Sequence, residues 1–458
     1  MSRALTHLDN CYSFKDFTAR GYICKTNTVS NTAFRGFGGP QGMLAIETIL
    51  ERVSRFLGID LDALRRENYY SPKNGIKTPY GQIVKNIKIE KIINEMETFA
   101  GLSKRKLLVE KFNKSQINKN QPYRKGIAFM PAKFGISFNK VSLNQAGALV
   151  HVYTDGSVRL NHGGTEMGQG LFTKVAQVVS ECFNIPIDYV HIAGTNTDEV
   201  PNTSATAASS GSDINGMAAW KAATVIKQRM LKHASKVFKK PPSSIEFKNG
   251  LILSGNKSMT FKELAFSCWE NRISLSSTGF YKTPKISWDQ EKFKGSPYFY
   301  FTWGAAVSEA IIDIDTGESR ILRADIIQDC GSSLNPLIDR GQIEGGFIQG
   351  IGWLTCEELY FNPEGKLLTL GPSTYKIPGS RDVPPEFNIK LLENTPNEEK
   401  TIFRSKAVGE PPLLLSISHF LALKNAVSMA SETSNADLLN APATPSKILA
   451  AVHNDHSM

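Results

Sequence analysis

The sequence predicts an α+β fold of mixed sheets and helices. Hairpin signals and long helical patterns interleave along the chain without forming regular strand–helix–strand units. Hydrophobic residues make up 41% of 458, enough to fill cores in two or three domains. Met43 to Leu57 repeats apolar residues at helical spacing and stops at Gly58, and Leu61 to Asn68 predicts a short helix behind Asp60. The stretch from Ser71 to Pro122 is charged and rich in Lys and Asn, with helical segments near Ile89 to Phe99 and Lys104 to Phe112. A domain junction is placed near Pro122. Ala148 to Tyr153 and Ser157 to Leu160 flank Asp155-Gly156, a hairpin signal. Leu171 to Cys182 predicts a helix, Tyr189 to Ile192 a strand and Asp213 to Phe238 a long helix. Ile245 to Phe247 and Leu251 to Leu253 flank Asn249-Gly250, and Thr260 caps a helix from Phe261 to Trp269. Val307 to Ile314 pairs with Ile321 to Ile327 around Thr316-Gly317. Ile338 to Leu359 reads as a glycine-rich helix, and Pro445 opens a last short one.

Charge and cysteine usage narrow the function classes. The net charge of +10 comes from dispersed basic residues; clusters such as Lys104-Arg105-Lys106 and Lys239-Lys240 lack interleaved aromatics, so no nucleic-acid partner is expected. No apolar run approaches the ~18–20 residues of a membrane helix, and no signal peptide precedes Arg3. Six cysteines are scattered without a C-x-x-C pair, which supports reduced thiols, no zinc or iron–sulfur site, and a cytoplasmic location. The tail His456-Ser457-Met458 is not a peroxisomal tripeptide, and no G-x-G-x-x-G dinucleotide unit occurs.

The stretch Lys406-Ala407-Val408-Gly409-Glu410-Pro411-Pro412 places one carboxylate between a glycine and two prolines, before a long apolar run. Pro is tolerated at the first helical positions, so a helix is expected to start there with Glu410 at its N-terminus. The helix dipole favours the charged carboxylate, the form a general base needs. Three small-residue stretches precede further apolar runs: Thr32 to Gly42, Gly163 to Gly170 and Pro201 to Gly211. Small residues bring backbone N–H groups close to an anionic ligand.

Taken in this order, these stretches resemble the molybdenum-cofactor half of the xanthine dehydrogenase and aldehyde oxidase family. Further matches are Arg3-Ala4-Leu5 with Asp9-Asn10-Cys11-Tyr12, Lys133 to Phe138, Leu143 to Ala148, Ser332 to Pro336, Gly341 to Gly345 and Gly371 to Pro378. They run from Arg3 to about Lys447, nearly the whole chain. Gly39, Pro411-Pro412 and Arg3 favour the purine enzymes over the aldehyde oxidases.

The resemblance implies two molybdopterin-binding lobes with the cofactor between them. Residues 1–121 would complete the first, 122–395 form the second, and 396–458 carry the glutamate helix and tail. It implies hydroxylation of purines, hypoxanthine to xanthine to urate, with Glu410 as base and Arg3 holding a purine oxygen. Phe37 and Phe138 would sandwich the substrate, with Asn139 beside it. Family purine enzymes usually carry Thr at that last position, so Asn139 puts purine selectivity there in question. Arg35, Met167, Gly168, Gln169, Ala207, Ala208, Ser209, Gln342 and Gly409 would line the molybdenum–molybdopterin cofactor. Arg35 and Ala208 would lie near the metal, with no side-chain ligand to it. The glycine-rich helix after Pro336 suits close packing against that cofactor.

The family's [2Fe-2S] clusters, FAD domain and another part of the molybdenum region, with a second catalytic glutamate, would precede Arg3. The chain is therefore expected to be a C-terminal part of a larger homodimeric enzyme, or a truncated gene product, with Met1 an internal methionine. Two other readings stand beside it: an aldehyde oxidase-like hydroxylase of aldehydes and N-heterocycles, and a folded fragment with no activity of its own.

Overall fold

The computed structural model describes residues 1–29, 31, 33–201 and 203–455. Thr32 and Asn202, from two of the small-residue loops, and the His456-Ser457-Met458 tail lie outside the described residues.

A four-stranded sheet forms the centre, in the order Tyr123–Ile136, Tyr300–Asp313, Ser319–Gln328, Glu386–Leu391. The first two strands pair antiparallel from Tyr123 opposite Asp313 to Ile136 opposite Tyr300. Glu386–Leu391 joins parallel to Ser319–Gln328. Side chains alternate across the sheet, so each face meets a different core. Met130, Ala132, Phe134 and Ile136 pack with the helices Pro336–Thr355, Ile417–Ser428 and Pro445–His453. Ile127, Phe129, Trp303 and Val307 pack on the other face with residues of Ile89–Ala100 and with Tyr12, Tyr69 and Tyr70. Helix Ile417–Ser428 lies so close to the first strand that a Cβ on Gly126 would strike the Ala422 carbonyl.

A second four-stranded sheet, Val190–Ile192, Val158–His162, Gln145–Val152, Ser276–Lys282, buries one face under helices Leu171–Phe183 and Gly211–Phe238. Its inward residues Ala146, Ala148, Val150 and Val152 keep strict alternation. A small three-stranded sheet leads into Phe261–Glu270, where Thr260 and Glu263 form the capping box the sequence suggested in part. The six cysteines are all free, and no helix among the described residues is long and apolar enough to cross a membrane.

Two elements that bear on the site depart from expectation. The glycine-rich helix spans Pro336–Thr355 rather than reaching Leu359. The Cys356 and Glu357 N–H groups both bond to the Gly352 carbonyl, the shared pairing of a terminating turn. The helix after Glu410 is broken into Pro411–Leu414 and Ile417–Ser428, with Ser416 Oγ bonding back to the Leu413 carbonyl.

A buried network fixes the first segment to the centre. Glu47, on helix Gly39–Leu57, accepts from Asn10 Nδ2 at 2.7 Å, Tyr12 hydroxyl at 2.6 Å and Arg65 Nη2 at 2.6 Å. Lys133 Nζ donates to Asp9 at 2.9 Å. The segment just after Arg3 is therefore held from two sides.

Candidate functional site

Six of the residues singled out in the sequence meet directly. Glu410 stands at the N-cap of Pro411–Leu414 and is 9% exposed. That helix is one turn long, so neighbouring side chains rather than a long helix dipole meet its charge. Ser209 Oγ donates to Glu410 Oε2 at 2.8 Å and accepts the Glu410 N–H at 2.7 Å. Arg3 Nη2 lies 3.6 Å from the same oxygen. On the other side of the turn, Arg35 Nε donates to the Gly409 carbonyl at 2.5 Å. Arg35 Nη2 reaches both the backbone and side-chain oxygens of Gln342 at 3.2 Å, and Nη1 reaches Gln349 at 3.3 Å. Burial lowers the Arg35 pKa to about 10, with the Glu410 charge opposing the shift.

Arg3 is buried, although it lies near residue 1, because its guanidinium fills a role in the core. It donates to the Ser137 carbonyl at 2.7 Å and the Gly135 carbonyl at 3.1 Å, and stacks over Phe134 at 4.7 Å. That fixes the strand end immediately before Phe138 and Asn139. Asn144 then holds the Phe138 backbone from both sides, accepting its N–H at 2.7 Å and donating to its carbonyl at 3.0 Å. Neither polar atom of the buried Asn139 amide makes a full hydrogen bond, although the Tyr298 phenol lies alongside.

Phe37 occupies a left-handed backbone position, φ +51°, and its ring is 55% exposed. The glycines behind it pack tightly. A Cβ on Gly39 would sit 2.7 Å from the Phe134 ring, and one on Gly42 would strike the Ala4 carbonyl. The Phe37 turn thus lies against the Arg3 segment.

The remaining loops converge on the same region. Thr165 N–H bonds to Thr206 Oγ1 at 2.8 Å, joining the loop of Met167, Gly168 and Gln169 to that of Ala207, Ala208 and Ser209. Gln169 Oε1 accepts the Met167 N–H at 2.5 Å, while Glu166 accepts from Gly168, Gly170 and Phe172 at 2.9 Å. A Cβ on Gly170 would meet Ile338, which carries the loop onto the helix that bears Gln342. Ala208 and Ser209 both hold φ +55°, strained for residues with a Cβ.

A family profile described as molybdopterin cofactor-binding domain matches residues 96–384, and a second of the same description matches residues 1–69. The chain belongs to the molybdopterin cofactor-binding family. It is 47% identical over 455 residues to a xanthine dehydrogenase/oxidase of Felis catus and 45% identical over 454 residues to a xanthine dehydrogenase of Dictyostelium discoideum. Each alignment covers 98% of this chain and 32% of the relative, so the chain spans about a third of their length. Among solved structures it resembles a Cu,Mo-CO dehydrogenase, TM-score 0.78 at 20% identity over 91% of this chain and 52% of that one. It also resembles an aldehyde oxidoreductase from Desulfovibrio desulfuricans, TM-score 0.77 at 22% identity over 98% and 44%. The α+β fold is theirs.

The residues present fit a molybdopterin cofactor. Gly168, Gly341 and Gly345 border open space: a Cβ on any of them would meet nothing within 4 Å. These three glycines are exposed, so their backbone can be approached closely by a ligand from the solvent side. On the same helix as Gly341 and Gly345, Gln342 and Gln349 meet the Arg35 guanidinium, and such amide and guanidinium donors suit an anionic organic cofactor. Among the described residues no group of three His, Cys, Asp or Glu could hold a metal directly.

Sequence reasoning missed Gln349, which follows Gln342 by two helical turns on the same helix face; that spacing was the available signal. It also missed Asp213 and Tyr300, which join only in three dimensions. The Tyr300 hydroxyl accepts the Ala407 N–H at 2.9 Å, anchoring the turn that carries Glu410.

Proposed function

We propose that this chain is the substrate-hydroxylating part of a xanthine dehydrogenase, with Glu410 as the base and purines, hypoxanthine and xanthine, as substrates. The observation that carries the reading is the buried Glu410 carboxylate, held by Ser209 and Arg3 beside loops that fit the cofactor. When bound, the molybdenum–pterin group supplies the oxygen and accepts the electrons of the oxidation. Arg35, Gln342, Gly409, Met167 to Gln169 and Ala207 to Ser209 are the residues that would hold it, with Arg35 and Ala208 nearest the metal. Glu410 removes a proton during oxygen transfer to the ring carbon. Arg3 pairs with a purine oxygen and offsets negative charge that grows on the ring. Phe37 and Phe138 orient the flat substrate by stacking, and Asn139 offers a donor and an acceptor to its edge.

Gly39 supports purine over aldehyde: the bulky residue that aldehyde oxidases carry there would press into Phe134. Residues 1–121 are read as part of the first cofactor lobe, 122–395 as the second, and 396–458 as its glutamate helix and tail. Iron–sulfur and flavin domains of a cytoplasmic homodimer are the expected electron partners.

The test is turnover of xanthine against an aldehyde, with a dye acceptor, by the cofactor-loaded enzyme containing this chain. Xanthine is the preferred substrate, and Glu410→Gln lowers turnover by ~10²–10⁴-fold at unchanged molybdenum content. Undiminished turnover in that variant removes Glu410 from the mechanism; preference for the aldehyde removes the purine assignment.

A further inference from the structure

Ser209 is held in a left-handed backbone conformation, φ +55°, that L residues seldom adopt. Such strain persists only where the surroundings over-determine it. Here its hydroxyl is spent twice on one residue. The oxygen accepts the Glu410 N–H at 2.7 Å, and that bond directs the single hydroxyl hydrogen to Glu410 Oε2 at 2.8 Å. Residue 409 is glycine, and a Cβ there would lie 2.9 Å from Ser209 Oγ. The close approach of the two loops therefore depends on both residues. Arg3 Nη2 stands 3.6 Å from the same Oε2, and no hydrogen bond or ion pair reaches Oε1 among the described residues.

We propose that Ser209 is a positioning residue for Glu410, clasping Oε2 so that Oε1 is the oxygen that receives the substrate-side proton. This rests on the reading of Glu410 as the base. Ser209 then acts through Glu410 by its hydroxyl, while its backbone, kept in Ser209→Gly, is the part that would line the cofactor. A carboxylate fixed by one oxygen and its own N–H presents the other in a single orientation, and misplacement of a reacting group by about 1 Å costs ~10²-fold in rate.

The experiment compares Ser209→Gly, Glu410→Gln and the double variant in the cofactor-loaded enzyme, reading kcat, KM, molybdenum per chain and melting temperature. Glycine adopts the left-handed conformation freely, so Ser209→Gly keeps the fold while removing the hydroxyl. The expected result is a kcat per molybdenum lowered ~10- to 100-fold, with KM, molybdenum content and melting temperature held. In the Glu410→Gln background the same change costs no further rate, because the two residues act as one unit. Three results overturn the proposal: full kcat in Ser209→Gly, loss of molybdenum with kcat per molybdenum retained, or an equal further loss in the Glu410→Gln background. Full turnover in Glu410→Gln alone overturns the underlying reading, and is distinguishable because it needs no change at Ser209.

Discussion

The Tyr300 hydroxyl donates to the Asp213 carboxylate at 2.7 Å. Burial raises the Asp213 pKa to about 7, against the opposing effects of that hydrogen bond and the Lys174 charge. The folded protein therefore keeps a proton that the unfolded chain releases near the ordinary carboxylate range. The stabilisation is whole below about pH 4 and is lost as pH rises through about 7, a change of up to roughly 4 kcal/mol. Asp213→Asn, which accepts the same hydrogen bond without ionising, flattens this slope. Melting temperatures of both proteins at pH 5 and pH 8 check it; parallel slopes would contradict the assignment.

Arg65 and Glu47 form a fully buried ion pair that Asn10 and Tyr12 complete. Arg65→Met leaves the Glu47 charge uncompensated, and the expected loss is ~3–5 kcal/mol in denaturant unfolding. Adding Glu47→Gln recovers part of it. A loss below about 1 kcal/mol would show that the pair is solvated in solution.

Arg35 binds acceptors on three residues of two elements: the Gly409 carbonyl, Gln342 and Gln349. A lysine at this position offers one compact charge and cannot span them. Arg35→Lys is expected to lower molybdenum per purified chain several-fold, while loss of charge-assisted hydrogen bonds costs about 1–3 kcal/mol of stability. Full metal retention in a metal assay would assign Arg35 a packing role only.

Phe37→Leu keeps an apolar side chain but removes the stacking face. The exposed ring makes few packing contacts, so stability is expected to stay within about 0.5 kcal/mol. The KM for xanthine is expected to rise ~3- to 10-fold, the worth of an aromatic pair. An unchanged KM would place the substrate elsewhere.

The legible parts of the sequence were those with local causes. Leu61–Asn68 appears at the expected bounds because Asp60 caps it, accepting the Ala63 N–H at 2.9 Å. The Asp155-Gly156 and Asn249-Gly250 hairpins formed where the turn chemistry requires. Strand Tyr123–Ile136 gave no alternating signal because both its faces are buried, and Pro131 lies inside it. Residues such as Glu410 and Arg35 stood out through motifs, but their clasp did not. Ser209 meets Glu410 across 201 residues of chain and Arg35 meets Gly409 across 374, distances that no local pattern encodes. Tyr300 and Asp213 carry no motif at all and emerge only once the two sheets are side by side.

Glu410 is followed at once by Pro411 to Leu415, all buried, and then by a helix laid on the central strand. Phe37, by contrast, sits at an exposed turn, and Phe138 and Asn139 follow a strand end. On the proposed reading, the proton acceptor lies in the interior and the substrate-facing side chains lie at its edge. If that reading holds, a library of changes confined to 37, 138 and 139 would redraw the menu of accepted rings while Glu410 stays anchored in the interior.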